Sequence, residues 1–294
     1  LLALLYYAIF KQYFSQSHHD PYGTIKGTTS TMAEPAPRNR RRQDLLKPNL
    51  RERSIYLLPN LFTTAALFGG FYAIVQAMSG NYEQSAIAIF IAMVMDGLDG
   101  RVARLTNTQS AFGAEYDSLS DMVSFGVAPA LVMYVWALKP MNKLGWIAAF
   151  IYCACAALRL ARFNTKLDDS DKRYFQGLPS PAAAALLAGL IWVSYDNGIA
   201  GNEVFFNWLQ IKWVAWFVTL FAGLTMVSDL KFYSGKDINL KSSVPFVVIL
   251  LIVLAFVLIS YSPAEVLFMV AFGYGISGYI LWAMRKLEKK KTPI

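Results

Sequence analysis

Apolar residues do not alternate with polar ones along this chain. They run in blocks about as long as a bilayer core is thick, separated by short polar and basic stretches. The blocks predict eight membrane-crossing helices, at approximately 55–78, 84–104, 113–137, 143–161, 178–195, 211–228, 243–261 and 264–284. The expected fold class is therefore all-α: a polytopic integral membrane bundle of about eight transmembrane helices. This divides the chain into a basic, poorly structured tail at 1–54, a membrane domain at 55–284 and a basic tail at 285–294.

The first residues do not fit the pattern. Leu1 to Phe10 is apolar but too short to span, has no basic leader, and is followed by no small-residue cleavage site, so it reads poorly as a signal peptide. Met32, ahead of Ala33-Glu34-Pro35, reads as a sensible natural start, which leaves the status of 1–31 in doubt. His18 and His19 are adjacent and diverge on any regular element, which disfavours a shared metal. From Glu34 to Arg53 proline and arginine dominate, as in a disordered or interfacial segment near anionic headgroups.

Composition agrees with the blocks: 56% of residues are hydrophobic and only 16% charged. The net charge of +8 could suggest nucleic acid. Its distribution argues otherwise, because with the first end inside, the cytoplasmic segments collect 22 Lys and Arg against 3 outside, Lys139, Lys143 and Lys212. That bias places both termini in the cytoplasm, and no base-stacking pattern supports a nucleic-acid partner. Cys153 and Cys155, two apart in an apolar helix, point to different faces and read as packing residues rather than a disulfide or zinc site.

The chemistry lies between Asp96 and Asp121, in DGLDGRVARLTNTQSAFGAEYDSLSD. Asp96 and Asp99 are three apart, Asp117 and Asp121 four apart, so on two helices each pair shares a face. Four carboxylates without compensating charge repel one another, and a divalent cation relieves this. All-oxygen ligation suits Mg2+, Mn2+ or Ca2+ rather than zinc. Gly100 and Gly113 lie one turn from a carboxylate, where a missing side chain leaves room for phosphate or sugar, and Arg104 adds a fixed positive charge. The residues read as a metal and pyrophosphate site between two helices, near the inner membrane surface.

Asp96, Asp99-Gly100, Ala103-Arg104, Gly113, Asp117 and Asp121 at these spacings resemble the full signature of the CDP-alcohol phosphotransferases. Asp96, Asp99 and Asp117 are the metal ligands that the resemblance implies. Asp121 matches the family's fourth aspartate, the candidate general base, which also contacts metal. Gly100, Ala103, Arg104 and Gly113 would shape the CDP site, joined by Asn60 and Thr63, which match a Pro-Asn-x-x-Thr pattern of related proteins.

Arg159 and Arg162 share a face at the cytoplasmic end of the fourth block, as membrane anchors or as a seat for a phosphate or an acceptor carboxylate. That stretch, with Phe175-Gln176-Gly177-Leu178-Pro179-Ser180-Pro181-Ala182 and Ser228 to Ser234, resembles the bacterial phosphatidylserine synthase branch of the family. The branch implies CDP-diacylglycerol and L-serine as substrates, phosphatidylserine and CMP as products, Mg2+ or Mn2+ (Ca2+ in vitro) as cofactor, surrounding membrane lipids, a homodimer, and the bacterial inner membrane. Sister enzymes using glycerol 3-phosphate or inositol phosphate are the alternative. A more distant one is an ion-coupled transporter, which would carry its carboxylates near the midplane and show two matching halves.

Overall fold

The structure is a computed structural model and describes residues 50–165, 174–199, 201, 204–206, 209–233 and 246–291. The readings for residues 1–49, His18 and His19 among them, lie outside the described residues. Among the described residues eight helical segments of 16 or more residues fall in the expected blocks. They are α1 Leu50–Met78, α2 Tyr82–Leu105, α3 Ala111–Met141, α4 Lys143–Thr165, α5 Ser180–Asp196, α6 Ile211–Val227, α7 Phe246–Tyr261 and α8 Pro263–Lys291. Two ends differ from expectation: α1 is already helical at Leu50, and α8 runs on through Lys291, so the basic stretch after 284 extends a helix.

Among the described residues four segments are both long and apolar enough to cross a membrane: Leu58–Met78, Ala111–Met141, Lys143–Thr165 and Pro263–Leu287. The others fall short for visible reasons. Helix α2 carries Asp96, Asp99, Arg101 and Arg104 in its second half, while α5 and α6 have 17 residues and α7 has 16. At about 1.5 Å per residue each of these three reaches roughly 25 Å, less than a hydrocarbon core of about 30 Å.

Small residues set how close the helices come. Ala66, Ala73 and Ala77 of α1 are buried, and at Gly69 a Cβ would stand 3.0 Å from Ala92 Cβ and 3.2 Å from the Ala88 carbonyl oxygen of α2. At Gly70 a Cβ would stand 2.6 Å from Ser124 Cα, so α1 and α3 touch backbone to backbone there. Two hydroxyls of α3 fasten the same seam: Ser120 Oγ donates to the Thr63 carbonyl and Ser124 Oγ to the Ala66 carbonyl, each at 3.0 Å. Helix α5, buried along most of its length, lies against α2 and α8, and α4 packs on α6. The described side chains of α7 are exposed, as suits a helix whose apolar surface faces lipid tails.

Helix α3 is not uniform. It widens into π-helical turns at Met122–Val127 and Tyr134–Leu138, with the Ala128 amide bonded to the Val123 carbonyl five residues back. Pro129 accounts for the first. In an α-helix the Phe125 carbonyl would accept from the amide four residues on, and proline has none. The Tyr152 hydroxyl, from the fully buried side chain of α4, donates to that carbonyl at 2.9 Å.

A short antiparallel ribbon pairs β1 (Tyr174–Gln176) with the later strand Lys231–Tyr233, in the register Tyr174 with Tyr233 and Gln176 with Lys231. Between them in sequence, β2 (Val204–Phe206) and β3 (Leu209–Gln210) make a second pair, which leaves Lys231–Tyr233 as β4. Gly177 turns the chain out of β1 at φ 75°, with its amide on the Leu230 carbonyl at 2.8 Å and the Leu178 amide on the Thr225 carbonyl at 3.1 Å. A side chain there would be strained and would meet the Met226 carbonyl oxygen at 2.1 Å.

Candidate metal and phosphate site

The turn between α2 and α3 holds the two aspartate pairs together. Asn107 adopts φ 53° just past α2, and the Thr108 amide reaches back to the Ala103 carbonyl at 3.0 Å, which closes the helix end in a Schellman turn. Ser110 then caps α3, its Oγ accepting the Gly113 amide at 3.0 Å.

Across this short link the carboxylates of α2 and α3 converge, with α1 packed against both helices. Ligand oxygens of Asp96, Asp99 and Asp117 all lie within 4.8 Å of one another. Asp121 follows Asp117 by one turn and interacts electrostatically with Asp96 and Asp117. Asp117 Oδ1 and Asp121 Oδ1 are buried and have no hydrogen-bond donor among the described residues. Burying carboxylate oxygens without a donor is costly. A divalent cation supplies what these atoms lack, so the residues present fit the group that the sequence implies.

The floor of the site comes from α1. Thr63, next to the cluster, donates its hydroxyl to Asp99 Oδ2 at 2.6 Å and lies 3.2 Å from the Pro59 carbonyl. Asn60 Oδ1 lies 3.4 Å from where a Cβ on Gly113 would stand, so the glycine leaves this amide room at the α3 N-terminus. Gly100 is open as well: the nearest atom to an added Cβ is Arg104 Nη1, at 3.9 Å, and Arg104 itself is exposed. Ala103 is half-buried on the same helix.

The two arginines of α4 part company. Arg159 donates through Nη1 to buried Ser180 Oγ at 2.6 Å and stands in the electrostatic field of Asp121 and Tyr274. Arg162 turns to the end of α6, donating to the Val227 carbonyl at 3.3 Å and pairing with Asp229. Beside that pair Ser228, Asp229, Leu230, Tyr279 and Trp282 line a groove of about 390 Å3 that none of the four aspartates reaches.

Several participants carry no sequence signal of their own. Thr64 and Tyr116 share a hydrogen bond at 2.9 Å, and Asn164 Nδ2 donates to Ser118 Oγ at 3.0 Å, so α1 and α4 each grip α3 beside Asp117. Ser180 belongs to a recognised stretch, yet only its contact with Arg159 gives it a part. Tyr274 lies more than a hundred residues further along the chain, and only folding brings it to Arg159.

Comparisons with known proteins place the chain in a family. A profile of the CDP-alcohol phosphatidyltransferase family matches residues 56–221, and the chain belongs to that family. Its relatives are more particular. A protein of Helicobacter pylori named CDP-diacylglycerol--serine O-phosphatidyltransferase is 37% identical over 231 residues, 78% of this chain and 92% of the relative. Proteins of the same name from Mycobacterium tuberculosis, 39% identical over 150 residues, and Methanocaldococcus jannaschii, 41% over 144, match 49% of this chain. The alignments cover 52% and 61% of those two relatives.

Proposed function

We propose that the chain transfers the phosphatidyl group of CDP-diacylglycerol to the hydroxyl of L-serine, giving phosphatidylserine and CMP. The observation that carries this reading is the convergence of Asp96, Asp99 and Asp117 beside Asp121, in a chain that covers nearly all of a relative named for that reaction.

Asp96, Asp99, Asp117 and Asp121 would hold Mg2+ or Mn2+, which when bound neutralises phosphate charge and polarises the phosphorus under attack. Thr63 fixes the Asp99 carboxylate through its hydroxyl. Gly100, Ala103, Arg104, Gly113 and Asn60 border the space for the CDP moiety, with Arg104 offering a charge to its phosphates. Asp121, whose Oδ1 has no hydrogen-bond donor among the described residues, takes the proton from the serine hydroxyl. The serine oxygen then forms a bond to the diacylglycerol-linked phosphorus, and the bond from that phosphorus to CMP breaks. Both reagents are held by one chain at one end of two helices, so positioning supplies much of the rate.

The bond of Arg159 to Ser180 and its electrostatic interaction with Asp121 support a role for it in receiving the serine carboxylate. Engagement of Arg162 by Asp229 takes a cation away from the acceptor side. That supports an unphosphorylated acceptor over glycerol 3-phosphate or inositol phosphate. The wider assignment comprises eight spans within 55–284, between basic tails at 1–54 and 285–294. It places both termini and the site on the cytoplasmic side of the inner membrane, in a homodimer.

CMP release by purified protein with CDP-diacylglycerol and Mn2+ or Mg2+, offered serine, glycerol 3-phosphate or inositol phosphate separately, tests the reading. Release that requires serine and metal and collapses in Asp121→Asn supports it; release with another acceptor overturns the substrate.

A further inference from the structure

We infer that Tyr152 is a positioning residue for the aspartate site, acting through the wide turn of α3 rather than by contact with substrate. The inference rests on the reading of Asp117 and Asp121 as metal-binding and base residues. Four observations carry it. The π-helical turn Met122–Val127 begins at the residue after Asp121. It inserts one extra residue into the helix, which turns the face bearing Asp117 and Asp121 by roughly 100° relative to the buried face that follows. Pro129 removes the amide that would bond the Phe125 carbonyl in a regular helix, and the Tyr152 hydroxyl donates to that carbonyl at 2.9 Å. Finally, Tyr152 is completely buried, with its backbone wedged against α6, where a Cβ on Gly223 would stand 3.0 Å from Tyr152 Cα.

A fixed ring and a directional bond thus join α4 to the turn that aims Asp121. Seven residues, or two turns, separate Tyr152 from Arg159 on α4, so the same bond sets the height of Arg159 opposite Asp121. Tyrosine is not needed there to fill space alone. Phenylalanine would fill the same pocket and leave the carbonyl without the donor that replaces the missing amide.

The test compares the full-length chain with Tyr152→Phe, Pro129→Ala and the double variant in detergent. Mn2+ binding is read from the free-ion paramagnetic resonance signal, and backbone exchange by hydrogen–deuterium exchange over 122–130. Tyr152→Phe is expected to weaken Mn2+ binding by roughly tenfold, the scale set by losing one buried hydrogen bond, and to speed exchange in the turn. Pro129→Ala supplies an amide to the same carbonyl and with it the regular α-helical bond, so the double variant is expected to recover slow exchange while Mn2+ binding stays weak, because the wide turn that aims Asp117 and Asp121 is lost. Unchanged Mn2+ affinity in Tyr152→Phe overturns the inference even if exchange quickens, and so does a Pro129→Ala or double variant that binds Mn2+ like the unaltered chain. Should Tyr152→Phe not fold, Pro129→Ala decides by itself: a folded protein with slow exchange over 122–130 and weakened Mn2+ binding supports the inference, and one that binds Mn2+ as the unaltered chain does overturns it. A chain that binds Mn2+ normally but uses none of the acceptors offered refutes the proposed reaction and leaves the role of Tyr152 standing.

Discussion

The Thr63 hydroxyl donates to Asp99 Oδ2 at 2.6 Å, across 36 positions of sequence, and so ties α1 to the carboxylate cluster of α2 and α3. Hydrogen bonds to charged groups contribute about 1.5–3 kcal/mol. Thr63→Val keeps the shape and removes the donor. The Mn2+ concentration for half-maximal CMP release is expected to rise roughly 10- to 100-fold, while saturating Mn2+ restores most of the rate. Thr63→Ser, which keeps the hydroxyl, is expected to stay close to the unaltered chain in the same titration.

Charge repulsion within the cluster predicts a change of sign with metal. In chelator-treated protein Asp117→Asn removes one of several converging negative charges, so its melting temperature should exceed that of the unaltered chain. On adding Mn2+ the order reverses, because the unaltered chain gains binding energy that the variant has lost. Thermal unfolding with and without chelator measures both halves. A variant less stable than the unaltered chain in chelator contradicts the repulsion.

The arginines are expected to separate functionally. Arg159→Ala should raise the KM for serine at least tenfold with little change in the KM for CDP-diacylglycerol, and lysine should rescue it poorly because the bond to Ser180 uses the guanidinium fork. Arg162→Ala should do much less. Its partner Asp229 has a side chain 82% exposed, so the pair contributes about 0–1 kcal/mol. Steady-state kinetics of both variants, with Asp229→Ala as the matching partner deletion, distinguish the two.

Gly70→Ala tests the seam between α1 and α3. The added Cβ would stand 2.6 Å from Ser124 Cα, and forcing a methyl into such a contact costs about 1–3 kcal/mol. A drop in melting temperature of roughly 2–4 °C per kcal/mol follows. The Mn2+ requirement should rise too, because Thr63 moves away with α1.

The eight helical segments were legible because apolar blocks betray themselves by length, and the aspartate pairs because spacing alone puts each on one face. The signature also located Gly113, whose openness only the fold explains, through Asn60. Elsewhere pattern was silent. A π-helical turn adds one residue without changing composition, so nothing in Met122–Val127 announces it except Pro129, which reads equally well as a kink. The ribbon of β1 and β4 joins strands of 3 residues from distant parts of the chain, too short to show alternation. Arg159 and Arg162 looked equivalent on a helical wheel. Their difference comes from Ser180 and Asp229, which are brought beside them by tertiary folding.

The closed turn between α2 and α3 also bears on life in membranes of varying composition. Helices adapt to a thicker or thinner bilayer by tilting, at a modest cost for each ångström of mismatch. A site assembled from distant helix ends would be pulled out of shape by such tilting. Here the two carboxylate pairs are joined by the short link Thr106 to Ser110, knotted by the Thr108 amide on Ala103 and by Ser110 on Gly113, and Thr63 of α1 bonds both sides, its hydroxyl to Asp99 and its carbonyl to Ser120. The pair of helices therefore tilts as one piece, and the spacing of the acidic cluster is insulated from the lipid that this family's products go on to build.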